Sequence, residues 1–311
     1  MMEILKTLKG RDFLTLGDLS VEELGCLLDL AAEMKAGKVK LRCNNKVLGL
    51  LFYKASTRTR VSFEVAMYQL GGQVIDLNPN VTQVSRGEPL VDTARVLDRY
   101  LDVLAVRTFA QEDLQTFADY AKIPIINALS DRYHPCQAMA DLLTIRECFG
   151  KFQDITVSYV GDGNNVANSL LLGCAMVGAN VRIATPPNYE PAADVVEKAK
   201  ALAFGKSEVM LTHDPVAAVK DAQVVYTDVW ASMGQEEEAR SRIPLFQPYQ
   251  VNEKLLSHAD SQAIVLHCLP AHRGEEITNE VIEGAQSRVW EQAENRMHVQ
   301  KALLACLLGA E

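Results

Sequence analysis

Along this chain, short apolar runs alternate with longer segments in which apolar residues recur every three or four positions. The runs are VLGLLFY (47–53), QVIDL (73–77), LDVLAVR (101–107) and IPIIN (123–127), then ITVSYV (155–160), NVRIAT (180–185), EVMLT (208–212), QVVYTDV (223–229) and AIVLH (263–267). Most are rich in Val, Ile and Leu without strict alternation, the pattern of parallel strands covered on both faces. The segments between them read as helices. After Ser56, residues Phe63, Ala66, Met67 and Leu70 share one helical face, and Gly71-Gly72 stops it. HPCQAMADLLTIRECFG places Pro135 at a first helical position and Gly150 at the end, and NVANSLLLGCAMVG ends at Gly178. The alternation predicts an α/β fold of two doubly wound domains, each with a mainly parallel sheet flanked by helices. The polar stretch ECFGKFQD (147–154) is the expected boundary.

Composition narrows the functional classes. A chain of 311 residues, 48% hydrophobic and 23% charged, is long enough for two ordinary cores. Its net charge of −9 argues against a nucleic-acid partner, which needs a basic surplus. Seven cysteines with no C-x-x-C pair suggest reduced thiols rather than a disulfide framework. The N-terminal region lacks an uninterrupted apolar core, and ALLACLLGA (302–310) is too short to span a bilayer. A cytoplasmic protein with no membrane partner is the expectation.

In open α/β sheets, ligands bind beyond the carboxyl ends of the strands. The unusual polar residues of this chain follow its strands: KASTRTR after the first, Arg107 after the third, HPCQ after the fourth. In the second half come GDGNN, DVWASMG and CLPAHRGEE. In STRTR, Ser56 as N-cap would leave helical N–H groups pointing outward beside Arg58, a cradle for phosphate; a capped helix with solvated arginines is the plainer reading. Arg107 either aims into the same crevice or is a surface strand-end arginine. His134, near a helix start, suits a neutral hydrogen-bond donor, or is simply a cap. GDGNN fails as a dinucleotide fingerprint, because Val166 stands at the third glycine position and no ribose-binding acid follows RIATPP. Asn165 either holds a carboxylate or caps its helix; Asp228 either pairs with an ammonium or caps a loop. GQEEEARSR reads as a solvated segment or, more sharply, a lid. His267, Cys268 and His272 lack a second clustered pair of ligands, so no metal is expected.

These motifs, taken in order, resemble the aspartate/ornithine carbamoyltransferase family over almost the whole chain, from near residue 45 to VWEQAENRMH. STRTR, DTARVL and HPCQAMADLLT resemble its carbamoyl-phosphate half, while DVWASMG and HCLPAHRGEE resemble its ornithine branch. The resemblance implies domains at 1–148 (carbamoyl phosphate) and 149–292 (ornithine), with the segment 293–311 packing back on the first. It implies attack by the side-chain amine of L-ornithine on carbamoyl phosphate, giving L-citrulline and phosphate, in arginine biosynthesis or the arginine deiminase pathway. Ser56, Thr57, Arg58 and Thr59 would hold the phosphate, with Gln83 of NVTQVSRGE a further contact. Arg107, His134 and Gln137 would bind and polarise the carbamoyl end, and Arg296 would return from the last helix. Asn165, Asp228, Ser232 and Met233 would bind ornithine, and Cys268 and Leu269 would lie at the reacting centre. No cofactor is implied. A homotrimer, or an assembly of trimers, is.

Three rivals compete: a relative using putrescine, an acylated ornithine or aspartate; a catalytically silent subunit; and a nicotinamide dehydrogenase. DVWASMG speaks against putrescine, which has no amino-acid end, and the retained carbamoyl-phosphate residues speak against a silent subunit.

Overall fold

The computed structural model describes residues 2–79, 87–231 and 239–311. The chain divides into two compact units, one made of 1–139 with 295–311 and the other of 140–294. Two helices, Pro135–Phe149 and Val289–Leu308, run through the points of division.

In the first unit the strands are β1 (Val47–Phe52), β2 (Gln73–Leu77), β3 (Val103–Arg107) and β4 (Ile125–Leu129), all parallel, in the order β2-β1-β3-β4. β1, β3 and β4 are almost wholly buried because their Val, Ile and Leu runs meet helices on both faces; β2 lies at the edge and is largely exposed. Leu51, Leu104, Val106 and Ile125 pack with Ala94, Leu114 and Phe117 of the helices Leu90–Leu97 and Gln111–Tyr120. Burying each such side chain contributes roughly 1.5–3 kcal/mol of transfer free energy. Strand order reverses direction between β1 and β3, which marks the topological switch point of such a sheet.

The second unit contains β5 (Thr156–Val160), β6 (Asn180–Ala184), β7 (Val209–Thr212), β8 (Val224–Thr227) and β9 (Ile264–His267), parallel in the order β7-β6-β5-β8-β9. Its switch point lies between β5 and β8. Val160, Val225 and Val265 of the three central strands join Ile277, Val281 and Val289 in one core.

The predicted fold class is the observed one, and all nine apolar runs are strands. Helices also begin and end where the punctuation places them. Ser56 caps Thr57–Gln69, Pro135 opens Pro135–Phe149, and Gly178 closes Asn165–Val177 in the left-handed conformation at φ +78°.

Candidate active site

Within the first unit, the carboxyl end of β1 leads through Lys54 and Ala55 into the helix Thr57–Gln69. Ser56 is extended, and its Oγ accepts the Thr59 N–H at 3.4 Å, which leaves the earliest helical N–H groups facing outward. Thr57 is exposed and Arg58 partly so, whereas Thr59 is fully buried. Arg296, also buried, donates from Nη2 to Thr59 Oγ1 at 2.9 Å. A guanidinium from the helix Val289–Leu308 therefore stands beside the N-terminus of a helix near the other end of the sequence. Arg60 faces away from this group and pairs with Asp76 of β2.

Arg107 ends β3, and its carbonyl accepts the Tyr53 N–H at 2.9 Å, tying the loops after β1 and β3 together. His134 precedes Pro135, and its carbonyl starts that helix by accepting from Gln137 N–H and Ala138 N–H. Both His134 and Gln137 are buried. Burial, then the charges of Arg296 and Arg107, hold the His134 imidazole well below its usual value. A neutral ring can donate one N–H to a carbonyl oxygen without gaining charge. The first unit thus holds Ser56–Thr59, Arg107, His134 and Gln137 after the carboxyl ends of β1, β3 and β4, with Arg296 against Thr59; three buried or half-buried guanidiniums and a helix N-terminus all favour an anion. Gln83 lies outside the described residues.

Within the second unit, Asp228 follows β8 and is buried. Both of its carboxylate oxygens are engaged: Oδ2 accepts from Asn164 Nδ2 at 2.8 Å, and Oδ1 accepts from the Cys268 thiol at 2.9 Å. Cys268 follows β9, so loops after β5, β8 and β9 converge on one carboxylate. Beneath it, Tyr159 and Tyr226 stack with ring centroids 5.7 Å apart. Burial and the nearby carboxylates push both phenols well above their ordinary value, so they remain donors. Ser232 and Met233 lie outside the described residues.

Pattern alone missed Asn164. Its Oδ1 accepts from Val166 N–H and Ala167 N–H, so Asn164 rather than Asn165 is the helix cap, and its Nδ2 orients Asp228. Asn165 is buried at the first helical position, with its carbonyl accepting from Ser169. The solvated reading of GQEEEARSR fails at its last residue. Arg242 lies in the helix Ala239–Phe246, is buried, and donates to Asp162 Oδ2 at 3.1 Å and to the Trp230 carbonyl at 3.0 Å. No periodicity marks that pairing, because its partner lies 80 residues away. The second glycine of GDGNN also has a local reason: a Cβ on Gly163 would lie within 2.5 Å of the Tyr189–Pro191 backbone.

Asp228, His267 and Cys268 bring potential ligand atoms within 4.8 Å of one another. Each ring nitrogen of His267 is nevertheless committed inside the protein, one to Glu276 and one to the Leu269 N–H. Burial pushes the thiols of Cys43, Cys136, Cys174 and Cys306 far up, which leaves them protonated and inert.

Two family models match the chain: the carbamoyl-P binding domain over residues 11–147 and the Asp/Orn binding domain over residues 153–307. The chain belongs to the aspartate/ornithine carbamoyltransferase family. Within that family it is 71% identical to the ornithine carbamoyltransferase of Nostoc punctiforme, over 99% of this chain and 100% of that one. It is 67% identical to that of Synechocystis sp., over 98% and 99%. Among solved structures, ornithine carbamoyltransferase from Gloeobacter violaceus superposes with a TM-score of 0.89 at 55% identity, covering 96% of this chain and 98% of that one. The Pyrococcus furiosus enzyme superposes with a TM-score of 0.92 at 50% identity, covering 97% and 98%.

Proposed function

We propose that this protein is an ornithine carbamoyltransferase serving arginine metabolism. The observation that carries the reading is Asp228, held by Asn164 and Cys268 at the switch point of the second sheet, in a chain this similar to ornithine carbamoyltransferases over its full length. A buried carboxylate paired with a thiol suits an amine that must be oriented and deprotonated, and the anion-favouring group of the first unit suits a phosphate ester.

The reaction follows from those residue types. Carbamoyl phosphate lies with its phosphate on Ser56, Thr57, Arg58 and Thr59, assisted by Arg296, while Arg107, His134 and Gln137 bind and polarise the carbonyl. L-Ornithine lies with its amino-acid end toward Asn165, Asp228, Ser232 and Met233 and its side-chain amine toward Cys268, whose thiol Asp228 holds. The side-chain ammonium gives one proton to the Asp228–Cys268 pair, and the free amine's nitrogen bonds to the carbonyl carbon, placing negative charge on the oxygen. That tetrahedral intermediate then breaks its bond to the phosphate oxygen, the nitrogen's second proton leaves with the phosphate, and citrulline and phosphate depart. Preorganised donors around the oxyanion and leaving phosphate supply the larger share of the acceleration, and orientation of the amine the remainder. Cys268 and Leu269 stand at the reacting centre.

Among the described residues, no helix is long and apolar enough to cross a membrane. The seven free cysteines support a reducing, cytoplasmic setting. A homotrimeric assembly follows the family resemblance, and the exposed Val61, Val65 and Tyr68 along one side of the helix Thr57–Gln69 support contact with another copy.

Incubation of the purified protein with carbamoyl phosphate and ornithine, aspartate or putrescine tests the assignment. Citrulline from ornithine alone is expected, with activity lost in Arg58→Ala. A carbamoylated product from another acceptor, or none from ornithine, overturns it.

A further inference from the structure

We propose that His267 and Glu276 form a buried relay that holds the Cys268–Leu269 backbone in place for catalysis, with Glu276 the positioning residue; the inference rests on the reaction proposed above. Both side chains have zero exposure. His267 Nε2 lies 2.9 Å from Glu276 Oε1, and the Leu269 N–H donates to His267 Nδ1 at 2.8 Å. A backbone N–H can only donate, so Nδ1 must present a lone pair. The ring proton therefore sits on Nε2 and is given to Glu276. The same carboxylate oxygen accepts the His272 N–H at 2.6 Å, so Glu276 ties the loop at a second point.

The loop needs this support. Leu269 adopts φ +58°, a left-handed conformation that a branched L-residue disfavours and keeps only where its surroundings over-determine it. From the other side, the His267 N–H donates to Gln292 Oε1 at 2.9 Å. Gln292 Nε2 in turn donates to Asp141 Oδ1 at 2.6 Å and to the Tyr226 hydroxyl at 3.2 Å. His267 is thus fixed by its backbone and by both ring nitrogens. Cys268 lies between the two anchored residues, and its thiol meets Asp228 from that backbone. In the opposite tautomer an Nδ1–H would face the Leu269 N–H, two donors head to head, and Leu269 would have to turn away, taking Cys268 with it. Glu276 excludes that tautomer by demanding the proton on Nε2. A carboxylate with no exposed surface thereby sets the geometry of the thiol and the following peptide.

Steady-state kinetics on Glu276→Gln, Glu276→Asp and Glu276→Ala, with thermal melts alongside, separate positioning from folding. The glutamine carbonyl can accept from both His267 and His272, so its kcat should stay within about fivefold of wild type. Aspartate is one methylene short and alanine has no acceptor. In the folded fraction of each, kcat should fall on the order of 100-fold, the effect of an ångström-scale misplacement, with the KM for carbamoyl phosphate within about threefold. A purely structural role would lower the melting temperature without this kcat-against-KM split or the rescue by glutamine. The ¹⁵N spectrum of histidine-labelled wild type, with the His267 signal identified by its loss in His267→Asn, should show the Nε2–H tautomer. An Nδ1–H tautomer, or Asp and Ala variants with wild-type kcat, overturns the relay. A wild type that forms no citrulline overturns the assigned reaction instead, and the nitrogen spectrum then decides the relay by itself.

Discussion

At the scale of single residues, Arg296 illustrates how a long-range pair makes a site. Its guanidinium bonds Thr59 and helps keep His134 neutral. Replacing it with alanine is expected to raise the KM for carbamoyl phosphate at least tenfold, on the order of the 1.5–3 kcal/mol of a charged hydrogen bond. Arg296→Lys should recover only part of that loss, because an ammonium keeps the charge but not the planar fork. Isothermal titration with carbamoyl phosphate, or with phosphate alone, reads both effects. Such residues divide by how visible they were. STRTR and the strand-end Arg107 stand out because polar groups directly after apolar runs are conspicuous. Asn164 did not, since two adjacent asparagines at a helix start look equivalent until the cap geometry distinguishes them. Glu276 was hidden for a different reason: its role depends on which ring nitrogen a backbone N–H meets, and no spacing rule encodes that.

At the scale of elements, the turn after β5 performs two tasks that substitution can separate. Asn164 caps the helix Asn165–Val177 through Oδ1 and orients Asp228 through Nδ2. Serine caps nearly as well as asparagine, whereas alanine forfeits about 1 kcal/mol. Asn164→Ser is therefore expected to melt close to wild type yet lose at least tenfold in kcat, a split visible by comparing calorimetry with citrulline formation. Gly163 serves packing. A methyl group there would collide with the backbone of Tyr189, Glu190 and Pro191, which no rotamer change relieves. Gly163→Ala should destabilise the second unit by roughly 1–3 kcal/mol, the usual cost of overpacking, and denaturant unfolding would register it. The strands and their helices were legible because burial on both faces writes continuous Val, Ile and Leu runs, and because caps and glycines punctuate them. The helix Ala239–Phe246 was not, since the contact from Arg242 to Asp162 joins a segment that reads as solvated to a turn 80 residues earlier.

For the whole molecule, two buried groups shape stability against pH in opposite directions. His134 has a folded value below its ordinary 6.5, so the unfolded chain takes up a proton that the fold refuses. Its contribution makes stability fall as pH drops below about 6.5, by up to ~1.4 kcal/mol per pH unit. For Asp162, burial outweighs the attraction of Arg242 and raises the carboxyl from 3.8 to about 6. Between those values the fold keeps a proton the unfolded chain has lost, so this contribution is full below 3.8 and is lost as pH rises toward 6. The two slopes oppose each other just below pH 6. Asp162→Asn removes one of them and should make stability fall more steeply than wild type on acidification over that range, as chemical denaturation at a series of pH values would show. Assembly is testable at the same scale: light scattering should give three times the mass of one chain, and Val65→Glu on the exposed apolar face should reduce it. The discontinuity of the first unit also has a consequence for synthesis. Residues 295–311 belong to it but are separated from the rest by the whole of 140–294. A ribosome adding about 5–20 residues per second needs roughly eight to thirty seconds to cross that interval. Throughout it, the nascent first unit lacks Arg296 and the helix that carries it, so Thr59 waits without its partner while the second unit, contiguous in sequence, emerges ready to fold.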